Sequence, residues 1–309
     1  MQDELAFTAK GIAYIARTTL TTLITKHTPI CSEGAKILGN LLKQNETLIK
    51  LVFSINYIDD LGTRLKSNSL LHNKILKTFC FSHNYIDIQK IKHLASALSK
   101  NKTLTTLILA GNRIGSQGVE YIANALIHNT TLIELDISNN RIFASGAEHL
   151  ANALRRNQTL SVLKTNHNEI NDSDIEYLVK ALNENHFVID IFHLIRRHIL
   201  TDSSLYKLIT FVLSQNSIED EGAQHFANAL KSNQTLTSLS ISRNLVSSQG
   251  ANYLLDVLKE NQTFTYLNLT NNHIGEEALE EFEINVQERT TPITIKLARK
   301  LYLTLEIKL

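Results

Sequence analysis

The sequence predicts an α/β fold in which short strand–helix units stack into a solenoid, with parallel strands on the concave face and helices on the convex face. Three observations carry this reading. The segment TLTTLILAGNRI (residues 103–114) recurs 28 residues later as TLIELDISNNRI (131–142), on the skeleton L-x-x-L-x-L-x-x-N-x-I. Six residues after the Asn of that skeleton, a Gly opens a stretch that runs into Ala-x-Ala-Leu, as at Gly118 to Leu126 and Gly146 to Leu154. A second Asn stands 17 residues after the first, at positions such as Asn101, Asn129 and Asn157.

Each element has a physical cause. In L-x-L the apolar residues alternate with a period of two, as on a strand that buries one face. The first Asn falls where the chain leaves the strand and turns inward. Its amide both donates and accepts, so it can satisfy loop backbone groups that stacking buries. Beyond the Gly, apolar residues recur at helical spacing, as in Val119, Ile122, Ala123 and Leu126. The second Asn suits a helix end, because Asn tolerates the left-handed conformation there. One unit cannot bury both its strand face and its helix face, so the units must stack. Parallel strands lie about 4.8 Å apart and helices are wider, so the stack curves with its strands inside.

Counting in twenty-eights places the Asn slot at Asn56, Asn84, Asn112, Asn140 and Asn168, and the series resumes at Asn216, Asn244 and Asn272. Alanine at Asn112 or Asn140 is expected to cost roughly 1–3 kcal/mol, as for an orphaned buried polar group. Length alone suggests about two domains, but the repeat makes residues 1–309 one solenoid. Residues 1–17 read as an N-terminal capping helix, 18–185 as regular repeats, 186–207 as an irregular shortened repeat, 208–291 as regular repeats and 292–309 as a C-terminal cap. Caps are required because an open stack end exposes core. Ile295 and Leu297 fit one more strand, and Tyr302 to Ile307 alternates like an edge strand. In the irregular unit the slot expected at 196 holds Arg196, and Asn216 follows after 20 residues instead of 28. That unit reads either as a decayed but packed repeat or as a hinge or exposed docking element.

Composition bounds the function classes. Hydrophobic residues are 43% and charged residues 20%, as in a soluble globular protein and too apolar for disorder. Lys and Arg number 31 against 30 Asp and Glu, so a net charge of +1 gives no long-range steering toward nucleic acid or anionic lipid. The most apolar run, Phe187 to Ile195, contains Asp190 and His193 and is far shorter than the roughly 20 residues a bilayer requires, so no membrane insertion is expected. The N-terminus has no basic-then-apolar layout, so no cleaved signal peptide is expected. Two cysteines, Cys31 and Cys80, make no disulfide framework and favour a reducing compartment, hence a cytoplasmic location.

These repeats resemble the leucine-rich repeat superfamily, and their 28-residue length with the G-x-x-x-L/I-A-x-A-L helix is similar to its ribonuclease-inhibitor-like class. The resemblance runs from about residue 18 to 297. It implies a right-handed β/α horseshoe that binds other proteins through its concave strands and adjoining loops. The chain lacks the many cysteines of ribonuclease inhibitor. A bare array without a secretion signal is similar to the effectors that intracellular bacteria place in host cells, which implies delivery without a cleaved signal peptide as the alternative location.

Sequence chemistry points away from an enzyme and from any cofactor or metal. No G-x-S-x-G, H-E-x-x-H, C-x-x-C or Walker-type loop occurs. The Gly-rich stretch from Gly111 to Gly118 contains the ordinary repeat Gly and the slot residue Asn112. His193 and His198 are five apart, and Cys80 with His83 has no third ligand at sensible spacing. Asn-x-Thr sequons such as Asn101 to Thr103 and Asn157 to Thr159 recur in register with the repeat, which makes them turn chemistry. Glu134 and Asp136 share one strand face beside Lys164 and read as a solvated charge patch.

The register also lists a partner surface. Exposed concave positions include Ile24, Val52, Ile108 and Val162 as apolar spots, Glu134, Asp136 and Lys164 as charged ones, and Phe192 in the irregular unit. The residue after the slot forms a rim column, with Tyr57, Tyr85, Arg113 and Arg141 in four adjacent units. Tyr and Arg are enriched at binding hot spots, so a protein partner is expected there, bound by a monomeric scaffold. The competing reading is that tyrosines stack along the loops and arginines are merely solvated. A second function follows from the resemblance: activators of a nuclear-transport GTPase share the repeat class, and Arg113 or Arg141 would then contact the GTPase. The chain lacks the long acidic tail of those activators.

Overall fold

The computed structural model describes residues 19–26, 39–40, 42–55, 69–184, 209–275, 278 and 291–297. The expected capping helix at 1–17, the edge strand at 302–307, and Asn56 and Tyr57 lie outside them. Ten strands form one open parallel sheet in chain order: β1 (Thr22–Lys26), β2 (Lys50–Ser54), β3 (Thr78–Cys80), β4 (Thr106–Ile108), β5 (Glu134–Asp136), β6 (Val162–Lys164), β7 (Thr210–Val212), β8 (Ser238–Ser240), β9 (Tyr266–Asn268) and β10 (Thr294–Lys296). The second residue of each strand is core. Leu51, Phe79, Leu107, Leu135, Leu163, Phe211, Leu239 and Leu267 pair in register across the sheet and are fully or almost fully buried.

Six described helices lie between strands: α1 (Ile88–Leu98), α2 (Gly115–His128), α3 (Phe143–Leu154), α4 (Asp172–Glu184), α5 (Asp220–Leu230) and α6 (Ser248–Glu260). Each packs on the next. The buried faces of α2, α3, α5 and α6 begin with glycine and continue in small and apolar residues, as in Gly146, Ala147, Leu150, Ala151, Ala153 and Leu154 of α3. The glycine answers a close approach: a Cβ at Gly146 would stand 2.3 Å from Ile142 Cγ2 and 3.3 Å from Ser116 Cα of the preceding helix.

The slot asparagines form a continuous ladder. Asn140 Nδ2 donates to Leu109 O, Ile137 O and Ser138 O, each at 3.0 Å, and the Asn140 N–H donates to Asn168 Oδ1 at 2.7 Å. Asn84, Asn112, Asn168, Asn216, Asn244 and Asn272 repeat this arrangement, each side-chain amide reaching back 31 residues or, across the longer spacing, 51. Asn84, Asn112, Asn140, Asn168 and Asn244 are buried. Directly before the slot the backbone turns left-handed in successive units, at His83 (φ 54°), Asn139, His167, Gln215, Arg243 and Asn271, with Gly111 (φ 71°) in the same place. His83 shows why that unit uses glycine: its ring atoms would stand 2.2 Å from a Cβ at Gly111.

The second asparagine differs from the expectation. Asn129 and Asn261 are extended at the helix end (φ −82° and −79°), not left-handed. Their Oδ1 accepts the N–H groups two and three residues on, and their Nδ2 donates to the preceding unit's helix-end carbonyl. For Asn129 these are Thr131 N at 3.0 Å, Leu132 N at 2.7 Å and Leu98 O at 2.8 Å. Asn73, Asn101, Asn157, Asn233 and Asn261 do the same, all buried, so a second ladder runs along the opposite edge of the stack. The Asn101 and Asn157 amides are therefore consumed inside the fold, as turn chemistry requires.

The sheet is continuous across the position of the irregular unit. β6 pairs directly with β7, Leu163 opposite Phe211, so no strand from 186–207 stands between them. The ladder agrees: the Asn168 N–H donates to Asn216 Oδ1 at 2.9 Å across 48 residues, against 28 elsewhere. The unit itself, 186–207, lies outside the described residues. Phe192 lies in it, outside the described residues.

At α4 the helix-start glycine is replaced by Asp174, which takes part in the turn and is buried. It accepts the Asn171 N–H at Oδ2 (3.0 Å). Burial pushes its carboxyl above the usual 3.8, and the backbone hydrogen bond at Asn171 pulls it back down in part. The folded state thus holds this proton more tightly than the unfolded chain. Its contribution is present below the ordinary carboxylate value and is lost as pH rises through the raised one. Asp174→Asn keeps the acceptor without the charge. Urea melts are expected to show the variant at least as stable as the parent at neutral pH, with its advantage vanishing at about pH 3.

Candidate protein-binding surface

Two rows of side chains leave the sheet on the face away from the helices. One runs Thr22, Lys50, Thr78, Thr106, Glu134, Val162, Thr210, Ser238 and Tyr266; the other runs Ile24, Val52, Cys80, Ile108, Asp136, Lys164, Val212, Ser240 and Asn268. Both follow the sequence register. Their exposure does not follow it uniformly. Ile24 at the sheet edge is 54% exposed and Ile108 is half-buried, but Val52 and Cys80 are buried. Each of those two is flanked in register by a neighbour's side chain on both sides, and Cys80 Sγ also lies 3.3 Å from Ser82 Oγ and 3.7 Å from Ser54 Oγ. Alternation along one strand cannot reveal this lateral crowding.

The charged part of the face is partly self-satisfied. Lys164 Nζ sits 2.6 Å from Glu134 Oε1, diagonally across β5 and β6. Asp136, directly opposite Lys164 in register, instead accepts the Ser138 N–H at 3.0 Å. Further along, Ser214, Ser240 and Ser242 hydrogen-bond to one another, so the β7–β8 end is a small-sided hydroxyl surface.

On the rim, Tyr85 and Arg113 meet as the column implies. The Arg113 guanidinium lies over the Tyr85 ring at 4.6 Å from its centroid, within cation–π range. Tyr85 is 42% exposed, and Arg113 and Arg141 are exposed too. The loops are not identical, however. Tyr85 and Arg141 have left-handed backbones (φ 55° and 59°), whereas Arg113 does not and its N–H donates to Ile86 O at 2.8 Å. Identical register therefore fixes where a rim residue starts but not the loop form that carries it. Leu245, in the same rim column by register, is 45% exposed, and sequence reading passed over Phe143, which is 43% exposed. The left-handed φ of 52° at Phe143 has no counterpart in the hydrophobic period.

Among the described residues no helix is long and apolar enough to cross a membrane, and no three His, Cys, Asp or Glu side chains converge as a metal ion would need.

Comparison with known proteins gives the following. The model of a family described as Leucine Rich repeat matches residues 100–123, 128–151, 232–255 and 260–282. No curated protein sequence matches the chain. Similar solved structures include Leiomodin-1 Actin-Binding Site 2, at 26% identity and a TM-score of 0.40, covering 51% of this chain and 91% of that one. The tropomodulin C-terminal domain of Caenorhabditis elegans is similar at 15% identity and a TM-score of 0.41, over 53% of this chain and 98% of that one. An internalin (inlF) of Listeria monocytogenes is similar at 17% identity and a TM-score of 0.45, over 95% of this chain and 89% of that one.

Proposed function

We propose that this chain, a leucine-rich repeat protein, is a non-catalytic scaffold that binds a partner protein through its strand face and adjoining rim. The observation that supports it best is the exposed stack of Arg113 on Tyr85 beside an open sheet. Such a pair is a preformed, rigid anchor of the side-chain types that dominate interface energetics. The two asparagine ladders and the core consume the polar and apolar groups between the faces, while Ile108, Val162 and the Glu134–Lys164 pair stay partly open. Action inside a host cell belongs to the same reading, so host lysate is the first source of partners.

The test is affinity capture with the parent and a Tyr85→Ala/Arg113→Ala variant of equal thermal stability. At least one captured protein is expected to be lost, or weakened about tenfold or more, in the variant. Equal recovery of every protein by both would remove the rim from the site. Arg141 motivates the second reading, GTPase activation, because its side chain is exposed and makes no ion pair among the described residues. Under the scaffold reading, a panel of small GTPases is expected to hydrolyse GTP at unchanged rates in its presence.

A further inference from the structure

The near-zero net charge conceals a strongly basic edge. Where the helices end and the chain returns to the sheet, the second asparagine ladder holds successive units in fixed register. The residue just before each ladder Asn is His72, Lys100, His128 and Arg156 in four consecutive units, and all four are exposed. The residue just after it is Lys74 and then Lys102 in two of these units, both exposed. The turn segments 69–77, 97–105, 125–133 and 153–161 contain no Asp or Glu. Lys74, Lys77, Lys100 and Arg156 make no ion pair among the described residues, and Lys102 reaches only Thr130 Oγ1 at 3.5 Å.

A purely structural account of these cations is that they complement helix C-terminal dipoles. The rest of the stack argues against it. After α5 and α6 the same two positions hold Ser232 and Gln234, then Glu260 and Gln262, and those helices end and ladder identically. At those two positions the fold accepts neutral and acidic residues, with Lys231 and Lys259 standing nearby, whereas Lys74, Lys77, Lys100, Lys102 and Arg156 gather in the His72–Arg156 stretch.

Aliphatic side chains share the edge. Leu71 and Ile133 are 36% and 40% exposed, and Ile127 is half-buried. No Phe, Tyr or Trp occurs in the four turn segments, so the large aromatic rings on which successive bases stack are lacking, and only the smaller imidazoles of His72 and His128 are present. The units repeat at about 5 Å on the strand side and about 10 Å between helix axes. An extended polypeptide places alternate side chains about 7 Å apart, which spans this range.

We propose that this edge, from His72 to Arg156, binds an extended acidic segment of a partner polypeptide, with carboxylates on the cationic column and aliphatic residues against Leu71 and Ile133. It is a surface separate from the concave rim and stands whether or not the rim binds. The probe is a fluorescein-labelled peptide of about 12 residues in which glutamate alternates with leucine or valine, a length that spans the four units. Fluorescence anisotropy with the full chain is expected to show saturable binding that weakens about tenfold or more from about 50 to 500 mM salt. Lys100→Glu/Arg156→Glu is expected to weaken it about tenfold or more, while Lys231→Glu/Lys259→Glu leaves it within about twofold. Absence of peptide binding, or equal binding by the Lys100/Arg156 variant, overturns the proposal. Tighter binding of a labelled oligothymidylate, or of phosphatidylserine vesicles, lost in that same variant, also overturns it by assigning the edge to a different class of ligand.

Discussion

Asn140→Ala is expected to lower the unfolding free energy by about 3 kcal/mol, read as a fall in the urea midpoint at constant slope. The size follows from what the side chain does. It is fully buried, and its single nitrogen serves three carbonyls, Leu109 O, Ile137 O and Ser138 O, while its oxygen faces the Ile114 N–H at 3.4 Å. Alanine removes all of these bonds at once in a place water does not reach: Leu109 O, Ile137 O and Ser138 O each fall back on a single donor (Asn112 Nδ2, Asn168 Nδ2 and the Gly111 N–H), and the Ile114 N–H loses its acceptor. Asn140→Asp is expected to cost at least as much, because it replaces the donating nitrogen by an oxygen facing carbonyl oxygens. Asn272, the last described rung, is only half-buried, and Asn272→Ala is expected to cost about 1 kcal/mol. Equal, small effects at both positions would show that the ladder is decorative. Stability in a stacked repeat is a sum of unit and neighbour terms. The same variant should therefore raise amide hydrogen exchange first in the strands beside β5.

Phe81→Ala is expected to be as damaging or more so, at about 3–5 kcal/mol. Phe81 is 1% exposed, stacked on Phe79 at 5.4 Å between ring centroids and edge-on to Phe53 at 6.4 Å. These three rings occupy positions where neighbouring units place leucine or isoleucine, such as Leu107, Leu109 and Ile137. The β2–β3 region is thus packed around aromatic volume that the surrounding units do not have. Truncation opens a cavity that three adjacent rungs line and that no single neighbour can fill. Phe81→Leu, which restores the residue of the other units, is expected to cost about 1–2 kcal/mol. Paired denaturation curves of the two variants measure the difference. A loss from alanine no greater than that from leucine would mean that the rungs close up around the gap.

Most of the scaffold was legible in the sequence because its determinants are periodic. The described strands fall on the L-x-L positions, and the Asn slot lies where backbone groups need a partner that can both donate and accept. What escaped has identifiable causes. The second asparagine was assigned to a left-handed helix end. Nothing in its spacing distinguishes that role from an extended residue whose amide ties two units together, as Asn129 does. Val52 was assigned to open surface because alternation describes one strand and is blind to the neighbours on each side. Counting produced a rung at 186–207 that β6 and β7 close over. Two residues carried the warning: His193 stands where the third core leucine belongs, and Arg196 stands in the slot. In the rim column Arg113 lies over Tyr85, yet the loops differ in backbone form, left-handed at Tyr85, Arg141 and Glu169 but not at Arg113, for which residue identity at one position is no guide.

The direct union of β6 with β7 has a practical corollary. Because the hydrogen-bonded seam from Asn168 to Asn216 is continuous whatever chain length joins its two sides, the molecule can be divided there into complementary fragments. Separately produced N- and C-terminal pieces would present matching cut surfaces, each with a ready row of backbone donors and acceptors. A reporter domain spliced into the same junction would leave the seam in place, which makes it the natural site for building a sensor.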